Sequence, residues 1–289
     1  MSGNAKGIAL MILGMFGFAV TDAFLKLLGG TIPTGQIMIV LGVGGGAVLT
    51  LLALRDGPDG WGKAFKHPLV LLRNTFEVCG TMGFLTGLVL APLSIVSALI
   101  QMTPLIVTLG AALWLKEQVG PHRWTAIFLG FIGVLFVIKP WSASFEPGSI
   151  FALIGVFFLS LRDLVTRRVP QDIPTLKLAS YAMLLLIPAG FLLLWLNDDT
   201  LVSPNRNQTL FLIGAILISV VGYFGTTAAM RVGDASLVSA FRYSRIIFAL
   251  ILAALIFGER PDALTYLGAA IIVLSGLYAM WRERLRRAA

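Results

Sequence analysis

The sequence predicts an all-α membrane protein of ten transmembrane helices, arranged as two inverted five-helix repeats. Three observations carry this. The 289 residues are 57% hydrophobic and 12% charged, with mean hydropathy +0.90. Soluble domains hold about 25% charged residues, and a soluble core of this size could not hide so many apolar side chains. Apolar runs of about twenty residues, enough to cross a bilayer, recur along the whole chain, and residue types repeat at an offset of half its length.

Ten runs are predicted to span: 7–28, 34–54, 69–90, 94–115, 122–139, 149–167, 176–196, 208–230, 235–257 and 262–281. Lipid offers no partner for backbone amides, so spanning segments are helices or a closed barrel. Runs this continuous, without strict alternation, exclude the barrel. The connections are short and rich in turn formers, such as "RDGPDGWGKAFKHP", "APLS" and "GERPD", and none holds a separate soluble domain. The first run follows Lys6 but lacks a small-residue cleavage pattern, so it reads as a span rather than a removable signal. The one cysteine, Cys79, rules out an internal disulfide and reads as a small packing residue.

Basic residues set the orientation. With the N-terminus inside, the inner segments hold fourteen Lys and Arg, among them Lys66, Arg123, Arg168 and Arg282, against four outside: Lys26, Lys139, Arg206 and Arg260. The positive-inside rule then places both termini in the cytoplasm. The formal charge of +8 is thus an orientation signal, and no nucleic-acid partner is expected.

The repeat is clearest between "SIVSALIQMTPLIVTLGAALWLKE" from Ser94 and "SLVSAFRYSRIIFALILAALIFGE" from Ser236. At offset 142, eight of 24 positions match, including Ser94/Ser236, Ser97/Ser239 and Glu117/Glu259. The halves are therefore expected at 1–141 and 142–289. Five spans per half force the second copy to cross the membrane in the opposite sense, the inverted repeat of secondary transporters, with the substrate near the midplane.

These two segments, with "FLGFIGVLFVI" and "YLGAAIIVLSG" after them, resemble the EamA branch of the drug/metabolite transporter superfamily. Within that branch the chain is most similar to bacterial amino acid exporters of the YddG type. The resemblance covers nearly the whole chain. It implies a ten-helix transporter of the bacterial inner membrane working by alternating access, with amino acids, aromatic ones included, as the leading substrate class. Riboflavin, S-adenosylmethionine or a drug-like compound is the alternative. A single-chain transporter is expected to act as a monomer in lipid.

Several charges lie within the apolar runs. Asp22 and Lys26 close the first, and Asp163 and Arg167 recur 141 residues later, each pair four apart and so able to meet on one helix face. Each could neutralise itself near the headgroups or act as a gate pair against the other half. Arg73 and Glu77 have the same spacing, with Glu77 the deeper. Arg242 and Arg245 are the most informative, roughly 10 and 15 Å into the ninth span at 1.5 Å per residue. An arginine there costs at least ~2.5–3.5 kcal/mol unless it meets protein or water. Arg245 is therefore either ion-paired with Asp22, Glu77 or Asp163, or a substrate ligand. The expected substrate-binding set is Arg242, Arg245, Tyr243, Gln101 and Glu77. Gln101 matches Tyr243 across the repeat, and Pro104 beside it can bend the fourth span.

Other function classes lack their signatures. His67 and His122 fall in predicted loops, and there is no H-E-x-x-H helix, Walker A loop or G-x-S-x-G elbow. No catalytic residue, metal or cofactor is expected. Channels show a filter motif or ring-like assembly, which an inverted repeat in one chain does not suggest.

Overall fold

A computed structural model describes residues 3–54, 61–114, 116, 120–170, 172–232 and 238–288. Among these, every regular element is helical. The first half comprises α1 (Gly3–Leu28), α2 (Thr34–Ala53), the short α3 (Trp61–Lys66), α4 (Pro68–Leu90), α5 (Leu93–Ile100), α6 (Thr103–Leu113) and α7 (Pro121–Ile138). The second comprises α8 (Gly148–Thr166), α9 (Thr175–Leu196), α10 (Arg206–Val232), a 3-10 turn (Ala240–Tyr243), α11 (Ser244–Phe257) and α12 (Ala263–Ala288).

Local chemistry places the ends. Prolines in the first turn of α4, α6 and α7 give up an amide that would be unpaired anyway. Gly258, at φ 64°, closes α11 in the left-handed conformation, and the amides of Gly258 and Glu259 both return to the Ala253 carbonyl.

Nine segments among the described residues are long and apolar enough to cross a membrane. The tenth is α4, whose 23 residues carry Arg73, Asn74 and Glu77 inside an otherwise apolar sequence and bury all three. The fourth span, expected to be continuous, is broken. α5 stops at Ile100 and α6 starts at Thr103, with Pro104 in its first turn. The ninth narrows into the 3-10 turn at the equivalent place. Where the two breaks cross, Gln101 Nε2 donates to the Tyr243 carbonyl at 3.1 Å. These residues are 142 apart, so each meets its own counterpart, as residues on a two-fold axis do.

Helix packing obeys the same symmetry. The most extensive pairings are α4 with α8, α1 with α10, α2 with α9, and α7 with α12. Exchanging the halves turns the first into the second and maps the other two onto themselves, an isologous arrangement. With five spans per half, the axis lies in the membrane plane and the repeat is inverted. Glycines allow the close crossings. A Cβ at Gly83 would stand 2.9 Å from the Gly155 amide, and one at Gly225 would stand 3.2 Å from Gly14 Cα. Gly14 and Gly155 are 141 apart, Gly83 and Gly225 142 apart, so the same small-residue contact is built twice.

Candidate functional site

Beyond the break in the ninth span, Arg245 enters α11 at its second residue and reaches across to α1. Its Nη2 lies 2.6 Å and its Nε 3.2 Å from Asp22 Oδ2. The guanidinium lies over the rings of Phe18 and Phe84, 5.5 and 5.9 Å from their centroids, a favourable placement for a cation. The Asp22 side chain is 6% exposed and that of Arg245 16%. Both donors converge on one oxygen, so Asp22 Oδ1 and Arg245 Nη1 have no hydrogen-bond partner among the described residues. The pair is neutral as a whole and still offers one acceptor and one donor.

A second cluster sits nearer the start of α4 than Phe84 does. Arg162 Nη1 on α8 donates to both oxygens of Glu77 on α4, at 3.1 and 2.8 Å. Arg73 approaches the same carboxylate at 2.9 Å, one turn below on α4. The Nε of Arg162 lies 2.8 Å from Asp163 Oδ1. Arg73 Nη1 also donates to Asn74 Oδ1 and to the Leu178 carbonyl of α9. Two guanidiniums and two carboxylates make this cluster neutral as well, which is what allows four charges inside a bilayer.

The pairings expected along single helices are corrected in two cases. Lys26 does not meet Asp22. Its ammonium donates to the carbonyls of Ala91, at 2.5 Å, and Leu88, at 3.3 Å, where α4 ends, and lies over the Phe257 ring. Open carbonyls at a helix C-terminus attract a cation, and Asp22 is taken by the forked guanidinium. Asp163 pairs with its neighbour Arg162, while Arg167 is exposed. Arg73 and Glu77 do pair as their spacing predicts. Arg242 is exposed and is not a partner of Asp22, and the Tyr243 hydroxyl is buried against Gly276 with no hydrogen-bond partner among the described residues. Of the expected set, then, Gln101 joins Tyr243 at the axis, Arg245 joins Asp22, and Glu77 anchors the second cluster.

Two features escaped the sequence reading. Arg162 adjoins Asp163 but has no acidic residue four positions away along its helix. Glu259 marks the repeat, yet its partner comes from the other half. Its carboxylate accepts from the Leu93 amide at 2.6 Å, the Ser94 amide at 2.9 Å and the Ser94 hydroxyl at 2.7 Å, capping α5. The repeat counterparts Glu117 and Ser236 lie outside the described residues. Among the described residues no group of three or more His, Cys, Asp or Glu could hold a metal ion.

Known proteins give the same picture. A riboflavin transporter of Vibrio cholerae is 32% identical over 66% of this chain, the match spanning 63% of that relative. A pseudopaline exporter, CntI, of Pseudomonas aeruginosa is 24% identical over 93% of this chain and 94% of its own. An S-adenosylmethionine uptake transporter of Rickettsia prowazekii is 22% identical over 96% and 94%. A protein solved by crystallography has the same fold, with a TM-score of 0.65 at 17% identity, covering 98% of this chain and 97% of its own. The EamA-like transporter family matches twice, over residues 5–139 and 146–281. This chain, a multi-pass membrane protein built on that repeat, belongs to the EamA-like transporter family.

Proposed function

We propose that the chain is a secondary transporter of the bacterial inner membrane, with both termini cytoplasmic, that exports an α-amino acid or a close derivative by alternating access. The observation that carries this reading is the Asp22–Arg245 pair. An amino acid brings a carboxylate and an ammonium into a site of low dielectric, and both need an opposite partner there. Arg245 Nη1 is the donor left for the carboxylate, and Asp22 Oδ1 the acceptor left for the ammonium. Arginine suits the first task because its planar guanidinium keeps Nε and Nη2 on Asp22 while presenting Nη1 to the ligand. The two-fold relation between halves supports alternating access, since rocking one repeat against the other opens each face in turn around a fixed site.

A second reading has its own support. Two phenylalanines, Phe18 and Phe84, lie against the Arg245 guanidinium, and aromatic faces suit a flat ring such as that of riboflavin. Proteoliposomes holding the purified chain, offered a mixed pool of amino acids, S-adenosylmethionine and riboflavin and read by mass spectrometry, separate the two. The proposal expects amino acids or their derivatives to enter the vesicles at least tenfold above protein-free controls. Accumulation of riboflavin alone favours the second reading, and accumulation of none contradicts both.

A further inference from the structure

The charge clusters are spaced along a common ruler. Phe84, under the Arg245 guanidinium, and Glu77, in the grip of Arg162, both lie on α4. Seven residues apart, they stand on the same helix face, separated by about 10 Å at 1.5 Å per residue. The clusters are also built alike. Each has a carboxylate that is nearly covered, with side chains 6% exposed for Asp22 and 9% for Glu77. Each holds a guanidinium that is partly open, 16% for Arg245 and 23% for Arg162. Asp163 beside Arg162 is 37% open. Charges that remain accessible at these depths face water-filled space rather than lipid.

We infer that Arg162 and Asp163 form a second pole of the substrate site, recognising a polar group at the far end of an elongated amino acid derivative whose amino acid end lies at Asp22 and Arg245. This rests on the amino acid reading of the first pole and extends it to substrate length. Glu77 makes the second pole usable. Because Arg73 holds Glu77 at 2.9 Å independently, Arg162 can turn towards a ligand without leaving a buried carboxylate bare, a change that would otherwise cost several kcal/mol. Arg162 then supplies donors and Asp163 an acceptor, so the pole accepts a group that both donates and accepts, such as an amide, a purine edge or a second amino acid group. Phe18 and Phe84 lie on the Arg245 guanidinium at the first pole, and Phe76 and Phe158, packed together at 5.9 Å, sit on the same two helices as Glu77 and Arg162. These suit an apolar or aromatic middle.

The test is equilibrium binding to the purified full chain of L-alanine, L-arginine and S-adenosylmethionine. These share one amino acid end and carry, respectively, no distal polar group, a nearer one and a farther one. Affinity is expected to rise at least tenfold from alanine to the compound that reaches the second pole. Arg162→Ala and Asp163→Asn should erase that gain while leaving alanine within about twofold of wild type. If Arg162→Ala does not fold, Asp163→Asn carries the test, since it leaves every partner of Glu77 in place. A gain that survives Asp163→Asn, or no dependence on length, overturns the second pole. Arg245→Ala in a folded protein distinguishes the two failures. If alanine binding ignores it, the amino acid reading is wrong. If alanine binding weakens while no longer compound gains from the second pole, only the second pole is wrong.

Discussion

Glu259→Gln should unfasten the cap that joins the end of α11 to the start of α5. The carboxylate accepts three hydrogen bonds there, each charge-assisted and worth ~1.5–3 kcal/mol. An amide keeps one acceptor oxygen, which can retain the two bonds from Ser94, while its NH2 faces the Leu93 amide, so one bond is lost outright and the other two lose their charge assistance. Glu259 is only half-buried, and water at the helix end replaces part of the loss, which leaves about 1–3 kcal/mol. Cys79, the single cysteine, lies on α4, so a thiol-reactive fluorophore reports thermal opening without an added label. Glu259→Gln should melt several degrees lower. Ser94→Ala should melt lower too, and the double variant should lose less than the sum, because Glu259→Gln weakens the same hydroxyl bond that Ser94→Ala removes. Strict additivity, or a wild-type melt for Glu259→Gln, would refute the cap.

Glycine substitutions should separate crossing points from open turns. A Cβ at Gly155 would run into the backbone of Phe84, so Gly155→Ala should cut the yield of folded protein sharply in size-exclusion chromatography. Gly120→Ala, with nothing within 4 Å of the added atom, should behave as wild type. Asp262 gives a pH dependence. Bonds from Lys139 first, then from the Thr265 side chain and backbone, lower its pKa from 3.8 to about 2. A carboxylate lowered in the folded state contributes stability that is complete above the unfolded value and fades as pH falls towards the folded one. The melting difference between wild type and Asp262→Asn should therefore be constant near neutrality and close between about pH 4 and pH 2. It should be small, because the Asp262 side chain is 48% exposed. A difference that widens on acidification would contradict the assignment.

The spans, the repeat and the inverted sense were legible because hydropathy and positional matches are properties of the chain itself. The Asp22 partner was legible only as one of several choices. Spacing proposes neighbours on one helix, and Lys26 was the nearest cation, but Arg245 arrives from 223 residues away. Local periodicity carries no information about which helices cross. The break at Gln101 had a visible cause in Pro104, whereas its counterpart at Ala240–Tyr243 has no proline and became evident only through the symmetry. Arg162 was hidden for a related reason. Its carboxylate partner lies 85 residues earlier, and within its own helix it offers only the adjacent Asp163. Glu259 was visible as a repeated residue, but its capping role depends on α5, which starts 166 residues before it.

The central claim is that Asp22 and Arg245 bind the substrate rather than only each other. It is tested most directly by equilibrium binding of the transported amino acid to folded wild type, Arg245→Lys, Arg245→Ala and the charge-neutral double variant Asp22→Asn/Arg245→Gln. An ion pair that only holds α1 to α11 predicts that the single substitution to alanine lowers stability by ~3–5 kcal/mol, that the double variant recovers it, and that affinity in folded protein stays put. The substrate-site account predicts that Arg245→Lys already weakens binding about ten- to a hundredfold, through loss of the planar guanidinium that presents Nη1 to the substrate while Nε and Nη2 hold Asp22. It also predicts that the double variant recovers its melting temperature without recovering affinity. Wild-type affinity in a well-folded Arg245→Ala protein would contradict it.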